Sequence, residues 1–209
     1  MKRIILFDFD GTIADTVDTA ADILNDLSTK YGYAKVTNEE NKAMRDVTIH
    51  EMFKMKNVAL YKLPFMMIDV KRELNKRIVY LKPIKGMSTV IKELKKKDYK
   101  LAIITSNSKE NVEHFLENNN LIFFDHIYTG TTLFGKAKVI QGFLKKSNVQ
   151  LEKAIYIGDE IRDIEATKKV GIPIISVTWG LNSRKGLQRF QPEFLIDKPN
   201  EILSVLEKM

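Results

Sequence analysis

Asp8 and Asp10 close a short apolar run, Ile4–Phe7, and Gly11 and Thr12 follow at once. Residues two apart on an extended strand point the same way, so both carboxylates arrive at one spot. Mutual repulsion there shifts their protonation unless a cation or a shared proton separates them. Three more chemically equipped clusters follow. Thr105, Ser106 and Asn107 end the run Leu101–Ile104, Lys136 follows Gly135, and Gly158-Asp159 ends Ala154–Ile157, with Asp163 four residues on. Asp159 and Asp163 share a helix face if a helix begins at once. Carboxylates from separate strands gather a hard cation such as Mg²⁺. A hydroxyl and an ammonium offset the charge on a moving phosphoryl group. One carboxylate can then attack while another protonates the leaving oxygen. These are the parts of phosphoryl transfer through a carboxylate nucleophile.

The elements that must position these groups are legible in the same rows. Ile4–Phe7 is apolar without alternation, the mark of a strand buried on both faces of a parallel sheet. From about Thr16 to Lys82 the pattern is helical. Ala20, Ile23, Leu24, Leu27 and Tyr31 recur at helical spacing up to Gly32, and Thr37/Glu40 and Thr48/Glu51 read as capping boxes. Pro64 suits the first turn of a fourth helix with the stripe Met67, Val70, Leu74, Ile78 and Leu81. Beyond Pro83, strands at 99–104, 126–128, 154–157, 172–177 and 194–196 alternate with helical segments. That alternation predicts an α/β fold, a Rossmann-like parallel sheet with a small α-helical insertion directly after the first carboxylate pair. In such sheets ligands bind at the carboxyl ends of the strands, where each polar cluster falls.

Composition narrows the classes. The chain has 209 residues, enough for one core with a modest insertion, and 44% hydrophobic with 29% charged content suits a globular protein. The absence of cysteine excludes disulfides, zinc-thiolate sites and a cysteine nucleophile, and agrees with a cytoplasmic location. Asp8 and Asp10 cut the N-terminal apolar run too short for a signal peptide, and no stretch approaches a membrane span. The net charge of +7 favours anionic ligands. Much of it falls near predicted helix ends, at Lys95–Lys97, Lys145, Lys146, Lys168 and Lys169, where lysine complements the helix dipole. No aromatic-interleaved RNA-binding signature is present, so nucleic acid is not the expected partner.

DFDGT at Asp8–Thr12, Ser106-Asn107, Lys136 and GDEIRD at Gly158–Asp163, in that order, make the chain similar to haloacid dehalogenase (HAD) superfamily phosphatases over essentially its whole length. The similarity is to the C1-capped, phosphoglycolate phosphatase-like branch. It implies a core of residues 1–15 and 83–209 and a helical C1 cap of 16–82. It further implies Asp8 as nucleophile and Mg²⁺ ligand, and Asp10 as general acid–base that also meets Mg²⁺ through its backbone carbonyl. Asp159 would be the third protein ligand, with Asp163 supporting the metal through water. Thr12, Ser106, Asn107 and Lys136 would hold phosphate, with Thr105 a rival to Ser106 and Lys138 to Lys136.

Asp10 separates the chain from metal-free dehalogenases of the superfamily, and Ala20 stands where sugar-phosphate mutases carry His. The reaction so implied is hydrolysis of a small phosphorylated metabolite by a monomer or homodimer. A sugar phosphomutase, a pyrophosphatase or a nucleotidase is the alternative within the superfamily. A non-catalytic phosphate- or nucleic-acid-binding protein is the alternative outside it. Specificity would reside in the cap turn Arg45–His50, where Arg45 either holds a substrate anion or pairs with Asp46 or Glu51. Glu160 and Arg162 are expected to face solvent.

Overall fold

In the computed structural model, which describes residues 3–130 and 135–209, the site is set by six parallel strands in the order β3-β2-β1-β4-β5-β6. These are β1 Ile4–Phe7, β2 Lys100–Thr105, β3 His126–Thr129, β4 Ala154–Gly158, β5 Ile174–Val177 and β6 Phe194–Ile196. Strand order reverses between β1 and β4, which are hydrogen-bonded neighbours with Phe7 opposite Ile157. The crevice at such a reversal is where doubly wound sheets bind ligands.

β1 decides which way the chemistry faces. Ile5 and Phe7 pack on one side of the sheet, with α5 (Met87–Lys96), α6 (Lys109–Asn118) and α10 (Glu201–Lys208). Ile4 and Leu6 pack on the other, with α7 (Lys136–Lys146), α8 (Ile161–Val170) and α9 (Arg184–Gln188). The strand period of two therefore directs Asp8 to the face of α7 and α8. Each face is an apolar layer.

Between β1 and α5 the chain forms α1 (Val17–Tyr31), α2 (Asn38–Met44), α3 (Ile49–Met55) and α4 (Leu63–Arg77). They share a separate core that includes Ile23, Phe53, Leu63, Met66, Val70 and Leu74. Both predicted capping boxes are formed, at Thr37/Glu40 and Thr48/Glu51, and Gly32 ends α1 in the left-handed conformation at φ 75°. On α4 the fully buried methionine is Met66, with Met67 only partly buried, because the Leu63/Val70/Leu74 face turns toward α1. The short helix α9, capped by Ser183, has no signature in the sequence. Five residues are too few for a periodicity to show.

Candidate active site

The four predicted clusters converge at the carboxyl ends of β1, β2 and β4. Asp8 leaves β1 with its N–H donating to Ile157 O at 2.8 Å, and its Oδ1 accepts from Phe9 N–H, also at 2.8 Å. Asp8 and Asp159 are almost fully buried and Asp163 wholly so. A carboxylate oxygen from each of the three lies within 4.8 Å of the others. The Asp10 carboxylate is not part of this triad. Its Oδ1 is sealed from solvent and has no hydrogen-bond partner.

Asp159 does not begin a helix. Glu160 is extended (φ −112°, ψ 149°) and caps α8, with its side chain on Asp163 N–H while Asp163 Oδ2 accepts from Glu160 N–H at 3.1 Å. The two aspartates meet because the chain folds back through this reciprocal cap, not because they share a helix face. Asp159 is held on both oxygens. Thr12 Oγ1 donates to Oδ1 and Leu181 N–H to Oδ2, each at 2.7 Å. Thr12 thus contacts a carboxylate, a role the sequence reading did not foresee. Backbone closes tightly round the same side chain. A Cβ at Gly11 (φ 72°) or Gly180 would overlap Asp159, so only glycine lets these segments approach.

Between the two lysine candidates the fold is decisive about place. Lys136 opens α7 buried, with Nζ 2.5 Å from Asp8 Oδ2 and ion-paired to Asp163 Oδ1, whereas Lys138 is exposed. The rival hydroxyls also separate. Thr105 Oγ1 accepts from Asn107 N–H at 2.9 Å, which closes the turn and leaves Ser106 half-buried at its outer position. Asn107 is buried, and its Oδ1 accepts from Ser108 N–H at 3.0 Å.

Two charged residues expected in solvent are instead drawn in. Glu160 is buried and Arg162 half-buried, with Arg162 Nη2 donating to Glu160 Oε1 at 2.5 Å. The capping role of Glu160 pulls both toward the cluster. Burial, reinforced by Asp8 and Glu160, pushes the Asp10 carboxyl up to about 7; Arg162 and Asn107 act in the opposite sense. Burial also pushes Asp163 up to about 7, against the opposing pull of Lys136. Asp159 is raised well above the ordinary carboxylate range by burial and then by Glu160, Asp8 and Asp163.

Among the described residues, Asp8, Asp10, Asp159, Glu160 and Asp163 are thus matched by two cations, Lys136 and Arg162. An all-oxygen, buried and negatively unbalanced donor set fits a hard divalent cation.

Arg45 pairs with neither Asp46 nor Glu51. Its Nη2 donates to Gly180 O at 2.7 Å and its Nε to Leu181 O at 3.2 Å, across to the loop after β5. Asp46 binds Ser183 and Lys185, and Arg184 pairs with Asp197 at 2.6 Å. Trp179 Nε1 donates to Thr12 O at 3.2 Å. Among the described residues no helix is long and apolar enough to cross a membrane.

Comparison with known proteins follows this geometry. The pattern of the haloacid dehalogenase-like hydrolase family matches residues 5–177. A phosphoglycolate phosphatase from Synechococcus elongatus is 27% identical over 206 residues, covering 98% of this chain and 97% of the relative. Pyrophosphatase PpaX from Bacillus cereus is 26% identical over 212 residues, covering 98% and 96%. In fold, a haloacid dehalogenase-like hydrolase from Streptococcus pneumoniae superposes with a TM-score of 0.78 at 22% identity, over 98% of each chain.

Proposed function

The chain belongs to the haloacid dehalogenase-like hydrolase family as a phosphohydrolase, and from that premise we propose that it is a Mg²⁺-dependent phosphatase of a small phosphomonoester, working through an aspartyl-phosphate on Asp8. The observation that carries this reading is the buried triad Asp8, Asp159 and Asp163 beside Lys136 at the switch point of the sheet.

Asp8 Oδ attacks phosphorus, forming the acyl-phosphate bond as the ester oxygen departs. Asp10, whose carboxyl is pushed up to about 7, retains a proton near neutrality and gives it to that leaving oxygen. Once ionised, Asp10 takes a proton from water, which attacks phosphorus and releases phosphate from Asp8. Lys136, with Ser106 and Asn107 at the end of β2, offsets charge on the phosphoryl oxygens. Thr12 holds Asp159 in place. A bound Mg²⁺, held by Asp8, Asp159, the Asp10 carbonyl and Asp163, would supply Lewis-acid stabilisation of the transferring group. Residues 16–82 act as a cap that shields the site from bulk water.

The PpaX relatives favour a second reading, in which the leaving group is phosphate and the substrate pyrophosphate. One experiment addresses both. Phosphate release is measured from a panel including phosphoglycolate, sugar phosphates, nucleotides and pyrophosphate, with Mg²⁺ and with EDTA, and with Asp8→Asn alongside. Mg²⁺-dependent release absent from the variant is expected. Release that persists in EDTA, or in the folded variant, would overturn the reading.

A further inference from the structure

We propose that Arg45 is a positioning residue for Asp159. It is a guanidinium on the inserted helices that acts on a carboxylate of the cation site through the peptide group between Gly180 and Leu181. The inference rests on the reading of Asp159 as a cation ligand.

The geometry joins three groups in series. Arg45 Nη2 donates to the carbonyl of Gly180 at 2.7 Å. The N–H on that same peptide, belonging to Leu181, donates to Asp159 Oδ2 at 2.7 Å. A charged donor on the carbonyl end of a peptide makes its N–H a stronger donor, since linked hydrogen bonds polarise one another. The carboxylate that gains from this is almost fully buried, with oxygens of Asp8 and Asp163 within 4.8 Å of it. Arg45 therefore lends positive character to Asp159 without touching it. Each Asp159 oxygen still has a lone pair for a cation after accepting from Thr12 and Leu181.

The surrounding contacts make this arrangement specific. Gly180 has no Cβ because one would overlap Asp159, so the peptide lies directly against the carboxylate. Trp179 fixes the other side of the loop to Thr12 O. Arg45 Nε also engages Leu181 O, which holds the guanidinium on the loop rather than free for a substrate anion.

Docking of the inserted segment on the core also has contacts that do not use the guanidinium. The carbonyl of Arg45 accepts from Ser183 N–H at 2.8 Å and Asn182 Nδ2 at 3.1 Å, and Asp46 binds Ser183 and Lys185. Docking and relay are thus separable by mutation.

The test is direct Mn²⁺ binding, by electron paramagnetic resonance and calorimetry, to the wild type, Arg45→Ala, Arg45→Lys and Asp46→Ala. Cooperative unfolding in EDTA confirms that each is folded. Arg45→Ala is expected to bind Mn²⁺ up to about tenfold more weakly, the lower end of the loss on removing a ligand's direct partner, since Arg45 stands one group further out. Arg45→Lys, which keeps a charged donor, should recover part of that loss. Asp46→Ala weakens docking alone and should bind as the wild type does. Wild-type affinity in both Arg45 variants overturns the inference, and so does an equal loss in Asp46→Ala. A wild type that binds no Mn²⁺ overturns it together with the cation site. Mn²⁺ binding with no turnover of any ester overturns the phosphatase reading alone.

Discussion

The Lys136 ammonium stands 2.5 Å from Asp8 Oδ2, and the side chains are only 4% and 5% exposed. Burial alone would favour the neutral amine, but Asp163 and Asp8 reverse this and hold its pKa well above the usual lysine range. Lys136 is therefore a fixed cation, not a proton carrier. On the proposed mechanism it neutralises Asp8 before a substrate arrives, and a phosphoryl group afterwards.

Removing that cation leaves two buried carboxylates unmatched. Lys136→Ala should cost up to about 3–5 kcal/mol of stability in EDTA at pH 8, less whatever Asp163, already raised to about 7 against the pull of Lys136, recovers by taking a proton. Urea unfolding reads this. Turnover should fall about 10²–10³-fold, as when a preorganised charge is withdrawn from a developing oxyanion. A variant as stable and active as the wild type would show that Lys136 carries neither task.

Asp8→Asn removes the oxygen proposed to attack phosphorus while nearly preserving shape. Phosphate release should drop by at least about 10⁴-fold, the scale on which loss of a nucleophile is felt. The far-ultraviolet spectrum should be unchanged. Acid-stable phosphate on a tryptic peptide that lacks Asp8 would place the nucleophile elsewhere.

Asp10 predicts a leaving-group signature. Burial, with Asp8 and Glu160, raises it to about 7, so the donor form is lost as pH rises through that value. The kcat for alkyl phosphates should decline on that limb. Asp10→Asn should lose about 10²–10⁴-fold on alkyl phosphates. It should lose much less on p-nitrophenyl phosphate, whose leaving group needs no proton. Equal losses on both esters would remove the general-acid assignment.

Stability should answer to pH and cation together. Asp10 and Asp163 sit near 7, and Asp159 is also raised, against an ordinary value of 3.8. Between about pH 4 and pH 7 the folded chain keeps protons that the unfolded chain has released, so these groups lower stability as pH rises. Asp125, pulled to about 2 by its backbone bond to Leu101 and by Lys95 and Lys100, acts below that window. A divalent ion binds the ionised carboxylates and offsets the loss. The rise in Tm on adding Mg²⁺ should therefore grow from pH 5 to pH 8. A constant or shrinking rise would contradict the raised carboxylates.

Gly180→Ala drives a methyl into Asp159. The expected cost is about 1–3 kcal/mol, typical of forced overpacking, with a weaker Mn²⁺ response. Thermal unfolding and calorimetry read the two effects. Unchanged Mn²⁺ affinity would mean that Asp159 has slack the packing does not suggest.

Much of this protein is a local matter and was legible in one dimension. The unalternating run Ile4–Phe7, the helical spacing of α1 and the two capping boxes depend on neighbours a few residues away. Parallel strands joined by helices have few ways to assemble, so polar clusters at the ends of β1, β2 and β4 could be expected to meet. What only the tertiary structure decided is which atoms meet. Thr12 reaches Asp159 across 147 residues of sequence, and Arg45 reaches Gly180 across 135. Lys136 and Lys138 look alike in sequence, yet only the first faces the buried carboxylates, because α7 turns it inward. Glu160 and Arg162 read as solvent-facing until the cap of α8 draws them in. Periodicity reports which face of an element is apolar. The partner of a polar side chain is set by long-range packing, and no local pattern encodes it.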